Sequence, residues 1–253
     1  MTVQDLIAAL ELPASCRVDQ RIPKKLLVEN GAPTAADKRN ITEGIEEIQW
    51  VASLKPSTIG VPEYRDDCRE YLEIAVLHIA LRQDAKVNRI AELTHRAVPY
   101  PILLLLTAQD KLNLSMAHIR WAQNEAGKVV LDGESVAVAL NEPTPAPEVF
   151  SAFLQALSIT RQPRENLMVL YQGWLDTLAA FQAAQLTGTF TQSQTGEQAV
   201  ARRVSLLACR EIEQQITALR AAAAKEKQLA RQVALNLEIK MLQAKMSETR
   251  ALL

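Results

Sequence analysis

From Glu197 to Leu253 the chain contains neither Gly nor Pro, although it holds eight glycines and eleven prolines elsewhere. Gly and Pro are the residues that most disfavour a helix interior, so this span is predicted to form one long helix. At 1.5 Å of rise per residue it would extend roughly 80 Å, several times the length of a usual globular helix. A rod of that size cannot bury its apolar stripe against a small domain alone and requires a partner helix.

Two seams run along it. One passes through Cys209, Ile212, Ile216, Leu219, Ala223, Glu226, Ala230, Val233 and Leu237 in alternating steps of three and four. The other passes through Leu235, Ile239, Leu242, Met246, Thr249 and Leu253 with the same alternation. This average of 3.5 residues keeps a stripe facing a neighbouring helix. The predicted helix-packing positions are therefore Ile212, Ile216, Leu219, Val233, Leu235, Ile239, Leu242 and Met246. The seams overlap near Val233 with an offset, and Glu226 interrupts the first beside the run Ala221 to Ala224. Two arrangements fit: an antiparallel packing on the chain's own earlier helices, or a coiled coil with a second copy or another protein.

Ahead of the rod, Thr2 with Asp5 has the form of a capping box for a short helix that Pro13 stops, and a second short helix follows Pro23 and ends at Gly31. Thr34 with Asp37 opens a third, predicted to run through Ile41, Ile45 and Ile48, after which residues 49–54 are extended. The stretch from Glu70 to Leu81 is apolar on both faces, as a central strand covered on two sides must be. Asp84 precedes a helix bearing Val87, Ile90 and Leu93, and Pro99 and Pro101 lead into a second buried strand from Ile102 to Thr107. Strand, helix and strand in this order predict a parallel pair. Residues 112–122 alternate as an antiparallel strand, and Asp132-Gly133 predicts a hairpin between strands at 129–131 and 136–140. The segment from Pro143 to Pro147 reads as a stiff linker, followed by helices near 148–158 and 164–186.

The predicted fold is α+β: a mixed sheet of about five strands with flanking helices over residues 1–142, then an all-helical part over 148–253 ending in the long helix. A chain of 253 residues with 48% hydrophobic content has enough material for such a core.

A formal net charge of −1 excludes a global attraction to nucleic acid or acidic lipid. The rod itself carries ten Lys or Arg against six Glu, so it is weakly basic. Nucleic-acid contact would fall to Lys24, Lys38 and Arg39, and to Arg202, Arg203 and Arg210 at the start of the rod. The near absence of aromatics there argues against base stacking, and an ordinary solvated face accounts for the same charges. Cys16, Cys68 and Cys209 are widely spaced, with no CxxC pair for zinc or redox chemistry. The first residues lack the basic start and apolar run of a signal peptide, and the most apolar stretch, Ile102 to Leu106, is too short to span a bilayer. The expected location is cytoplasmic.

No catalytic constellation stands out. His78, His95 and His118 form no helical metal pair, and neither a P-loop nor a GxSxG elbow is present. Trp50, Trp121 and Trp174 read as core anchors. The most acidic patch includes Asp66, Asp67, Glu70 and Glu73. Carboxylates entering a central strand hold Mg²⁺ in nucleases of the restriction-endonuclease type, where an acid-x-Lys pair cooperates with a further acid. Here Ile74, Ala75 and Val76 follow Glu73, so the lysine is missing from the sequence, and a solvated acidic loop is the simpler reading. No cofactor is expected.

One set of motifs resembles a known family. Ile22-Pro23-Lys24, Lys38, Ile45-Glu-Glu-Ile48-Gln-Trp50, Leu54-Lys-Pro56-Ser-Thr58-Ile59, the strand from Glu73 to Arg82 and Val98-Pro99-Tyr100-Pro101-Ile102 are similar to the prokaryotic domain of unknown function four-three-nine-one, over most of the chain. At His118-Ile-Arg120 the chain departs from an aromatic-Lys pair of that family. The resemblance implies a protein encoded near helicases and DNA methyltransferases, and so an accessory subunit of a bacterial DNA-modification or anti-phage defence system. It supplies no active site, only Lys24 and Lys38 as polar positions. The expected function is therefore a non-catalytic assembly subunit that binds itself or a larger protein such as a helicase or methyltransferase. The alternative is a metal-dependent nuclease or a nucleic-acid-binding subunit.

Overall fold

The computed structural model describes residues 2–109, 111–123, 125, 127–141 and 146–253. Helix α1 (Val3–Ala9) begins with the reciprocal Thr2 and Asp5 cap. After a turn of 3-10 helix come strand β1 (Arg17–Arg21), α2 (Lys24–Gly31), α3 (Ala35–Gly44), β2 (Ile45–Leu54) and the short α4 (Pro56–Ile59). Strands β3 (Tyr64–Arg65) and β4 (Glu70–Tyr71) pair only with each other, and β5 (Ile74–Leu81), α5 (Val87–Ala97), β6 (Ile102–Ala108) and β7 (Lys111–Met116) follow. Next are β8 (Ile119–Trp121), β9 (Val129–Leu131), β10 (Val136–Ala139), α6 (Pro147–Ala156), α7 (Leu167–Thr187), α8 (Gly196–Lys225) and α9 (Leu229–Arg250). No helix among the described residues is long and apolar enough to cross a membrane.

The fold is α+β. Its sheet has six strands in the order β1-β2-β5-β6-β7-β10, with β5 and β6 parallel and every other pair antiparallel. Both central strands are covered on two faces. Leu77, Ile79, Leu104 and Leu106 pack with Ile41, Ile90 and Leu93 of the helices, while Ile74, Val76, Leu103 and Leu105 on the other face are equally buried. Helix α2 lies so close to α5 that a Cβ added at Gly31 would stand 2.6 Å from the Cβ of Ala97, which explains glycine there.

Four sequence expectations are corrected. Ile45 and Ile48 lie in β2, not in a helix: the register slips between Ile45 and Glu47, so a β-bulge places both isoleucines inward at a spacing of three. Residues 112–122 do not form one strand, because pairing breaks at Ala117 and β8 joins β9 in a separate sheet. Asp132-Gly133 does not close a hairpin. β9 pairs with β8 and β10 with β7, and Gly133, at φ +88°, turns the chain from one sheet to the other.

The fourth concerns the rod, which is two helices. Glu226 and Gln228 adopt extended conformations (ψ 130° and 116°), and the backbone N–H of Gln228 donates to the Glu226 carboxylate at 2.8 Å. Both residues leave the helix at negative φ, which needs no glycine. A straight rod would expose both seams, and the alanines before the turn offer little to bury. Folding back closes Cys209, Ile212 and Ile216 of α8 onto Ile239 and Met246 of α9.

Contacts divide the chain into two compact units, Met1–Leu178 and Ala179–Leu253. The first contains both small sheets, the large sheet, α6 and the start of α7. The second contains the end of α7 with the α8 and α9 hairpin, where Ala179 and Ala183 pack with Leu206. The expected linker at 143–147 lies outside the described residues except for Ala146 and Pro147, the latter opening α6.

Candidate functional site

A dense polar arrangement in the first unit forms where the large sheet stops. At Ala117 the ladder ends, and the fully buried Tyr171 hydroxyl takes its place. It accepts from the Ala117 amide at 3.0 Å and lies 3.0 Å and 2.8 Å from the carbonyl oxygens of Ala117 and Ile102. Burial pushes this phenol well above its ordinary pKa, so it remains protonated and able to donate.

Beside it, Tyr64, Tyr71, His118 and Tyr171 form an aromatic cluster, with His118 edge-on to Tyr71 at 5.9 Å and to Tyr171 at 5.5 Å. The proton positions follow from chemistry. An Asp176 carboxylate oxygen accepts from Gln172 Nε2 at 2.9 Å, which fixes the amide orientation and turns Oε1 toward His118. His118 Nε2, 2.8 Å from that oxygen, must then carry the proton, and Nδ1 accepts from the Tyr71 hydroxyl. Burial raises the Tyr71 phenol strongly, which keeps its proton in place.

An ionic cluster adjoins this chain. The Arg69 guanidinium donates to Asp132 at 2.6 Å and stands 3.6 Å from Asp66, while Arg120 is 3.8 Å from Asp132. The Asp132 hydrogen bond raises the pKa of Arg69. The backbone amide of Asp132 donates to the His118 carbonyl at 2.8 Å, joining the two clusters. With both nitrogens of His118 held and Arg69 engaged by carboxylates, the arrangement fixes conformation rather than presenting a nucleophile.

The predicted acidic quartet is not gathered. Asp66 accepts from the amides of Cys68 and Arg69 at 2.8 and 2.7 Å and from the Tyr64 hydroxyl at 3.0 Å, and the Cys68 amide is the main reason its carboxyl is lowered. Glu70 faces Arg65 at 3.6 Å, and Asp67 is exposed. Glu73 is buried, receiving the Ser53 hydroxyl at 2.7 Å and Lys55 Nζ at 3.2 Å. The lysine absent after Glu73 in the sequence thus arrives from the end of the neighbouring strand. Among the described residues no group of three or more His, Cys, Asp or Glu is placed to hold a metal ion.

The basic candidates also separate. Lys24 caps the end of α3, donating to the carbonyl of Ile45 and, at 3.5 Å, to that of Thr42, and desolvation lowers its pKa. Lys38 and Arg39 are exposed on α3, Arg39 lying 3.8 Å from Glu43. Asp37, buried on the same helix, is held down at about 2 by hydrogen bonds from Arg89 of α5. Arg202 is buried, tying Ser193 and Thr191 of the preceding loop to α8 at 2.9 and 3.3 Å, and Arg203 and Arg210 are half-buried.

In the second unit Ile212, Ile216, Ile239 and Met246 are buried, with Leu219 and Leu242 packed against them and Leu235 half-buried. Val233 is not among them. It stands 60% exposed, because α9 turns the second seam toward α8 and leaves the first outward. Leu229, Val233, Leu237 and Met241, four residues apart and 60% to 75% exposed, form one stripe along the outer face of α9.

Sequence reading missed Tyr71, Tyr171, Gln172, Asp176 and the Arg69–Asp132 pair. Gln172 and Asp176 stand four apart on α7, a spacing at which such side chains pair, but the other partners lie far apart along the chain and no spacing rule connects them. No curated protein and no solved structure matches the chain. The family model described as Domain of unknown function (DUF4391) does match, over residues 10–246, and the chain belongs to that family.

Proposed function

We propose that this chain is an assembly subunit without catalysis of its own, acting in the cytoplasm and docking through its C-terminal helical hairpin. The observation that carries this reading is the outward stripe of α9. Monomeric proteins rarely expose a contiguous apolar face, and such faces mark interaction sites. The satisfied His118 chain and the dispersed carboxylates support the same reading, since neither offers an activated group. The setting, a bacterial DNA-modification or defence system with a helicase or methyltransferase as partner, rests on the family resemblance alone. The test is co-expression of the tagged chain with its genomic neighbours, followed by mass determination of what is captured. The expected result is an assembly heavier than the single chain that Leu237→Asp disrupts; an unchanged assembly in that variant would overturn the role of the stripe.

A second reading, the metal-dependent nuclease, gains one observation: Lys55 reaches Glu73 at the end of the central sheet. Mg²⁺ sites often use one or two carboxylates and complete their shell with water and substrate phosphate. A plasmid-nicking assay with Mg²⁺ or Mn²⁺ decides between the two. Under the first reading neither the wild type nor Glu73→Gln cleaves. Metal-dependent cleavage lost in Glu73→Gln would establish the nuclease.

A further inference from the structure

We propose that the sheet unit binds a small zwitterion, an aliphatic amino acid, in a cavity between the end of α1 and the end of α6. The cavity measures about 370 Å³, at the small end of the range for ligand sites, about 300–1,000 Å³. Ala9 and Leu154 give it an apolar wall, and Glu11, Ser158, Thr160 and Arg161 give it polar groups. Its two sides are tied together. The Ile159 amide donates to the Leu10 carbonyl at 3.0 Å, and the Ser158 hydroxyl donates to the Glu11 carboxylate.

The charges choose the ligand. Glu11 and Arg161 are opposite in sign and line the same cavity, yet they form no ion pair with each other or with another described residue. A molecule carrying both an ammonium and a carboxylate satisfies the two at once, with the ammonium on Glu11 and the carboxylate on the fork of the guanidinium. A simple cation or a simple anion leaves one of them uncompensated. The Glu11 carboxylate is also aimed. Ser158, which is buried, gives its proton to Oε2, so the Thr160 hydroxyl, 2.7 Å away, donates to Ser158 in turn, as does the Thr160 amide at 3.2 Å. Oε1 of Glu11 is left for the ligand. The backbone of Glu11 adds to the argument: it follows α1 at φ +49°, a position where glycine is usual. A carboxylate is kept there against that preference. Glu11 and Arg161 are both exposed, so entry needs no opening of the fold.

The experiment titrates the purified full chain in a calorimeter with L-alanine, L-valine and L-leucine, at about pH 6, where an α-amine stays protonated. Saturable binding of at least one of them is expected. Two analogues of the amino acid that binds then read the charges separately: its amide lacks the carboxylate, and its N-acetyl form lacks the ammonium. Each should bind the wild type about tenfold more weakly, as the loss of a charge-assisted hydrogen bond requires. Glu11→Gln and Arg161→Gln should each weaken the amino acid about tenfold. Arg161→Gln should no longer distinguish the amino acid from its amide, and Glu11→Gln should no longer distinguish it from the N-acetyl form. Both residues are exposed, and the glutamine at 11 can still accept from Ser158, so both variants should keep the circular dichroism and denaturation midpoint of the wild type. The absence of saturable binding by all three amino acids would overturn the proposal. So would binding that is unchanged in either variant, and the bond from Ser158 to Glu11 would then be a structural tie alone.

Discussion

The two units handle apolar surface in opposite ways. In the sheet unit, Leu26 and Tyr100 are the large hydrophobic residues left exposed among the described positions, whereas the smaller helical unit exposes eight. The difference follows from geometry. A central strand has two faces, and β5 and β6 have cover on both. Helix α9 carries apolar residues on two sides, but its only neighbour within the hairpin, α8, covers one. The sheet unit is closed by its own chain; the hairpin keeps an open face.

The sharpest way to break this comparison is to place a charge in the closed unit. Val76→Asp would bury an unpaired carboxylate in β5 and should abolish soluble expression. A folded variant would show that this face of the sheet is not sealed. Next in size is the closed side of the hairpin. Ile239→Ala removes a buried side chain from the contact with α8 and should cost roughly 2–5 kcal/mol in chemical denaturation of the helical unit. A cost near zero would mean that the hairpin is not held by its inner seam.

Much of the architecture was legible because it rests on local rules. The parallel β5 and β6 pair followed from two doubly apolar runs separated by an amphipathic helix, and the Thr2 cap followed from spacing. The misses share a physical cause. A β-bulge gave Ile45 and Ile48 the spacing of a helix, and the break at Glu226 uses negative φ, so no glycine announces it. The offset between the two seams near Val233 was visible, but its meaning, that one faces in and the other out, appears only once the rod is folded back. The polar site was illegible for another reason. Tyr71, His118 and Gln172 meet through long-range folding, and hydrogen-bond logic assigns their roles only after they are placed together.

Two further effects probe how tightly the sheet unit is closed. His95 is fully buried and bonded to Ser115 at 3.0 Å, and burial lowers its pKa from 6.5 to about 3. The unfolded chain therefore takes up a proton at a pH where the folded chain does not. Stability should be complete above pH 6.5 and fall by about 1.4 kcal/mol per unit as pH drops toward 3. His95→Gln should flatten that part of the profile, and an unchanged slope would assign the acid sensitivity to other groups. Tyr171→Phe keeps the packing but leaves the Ala117 amide and the Ile102 carbonyl without their partner. A loss of about 1–3 kcal/mol is expected, with little change in the rest of the core.

The smallest effect on stability is expected at the open face, and it separates the two sides of one helix. Leu237 is 60% exposed and two residues from Ile239, which is buried. If the stripe exists for packing within the chain, Leu237→Ser should destabilise the helical unit as Ile239→Ala does. If it exists for association, its removal should shift the unfolding free energy of the monomer by no more than about 0.5 kcal/mol, as is usual for surface sites. Measured at low concentration, where the chain stands alone, the variant should unfold as the wild type does. Where the chain associates with itself, the wild type alone should gain stability at high concentration, because only an associating chain is stabilised by mass action. Equal loss at both concentrations would show that the outer face of α9 belongs to the fold, and the contrast between a closed and an open unit would fail.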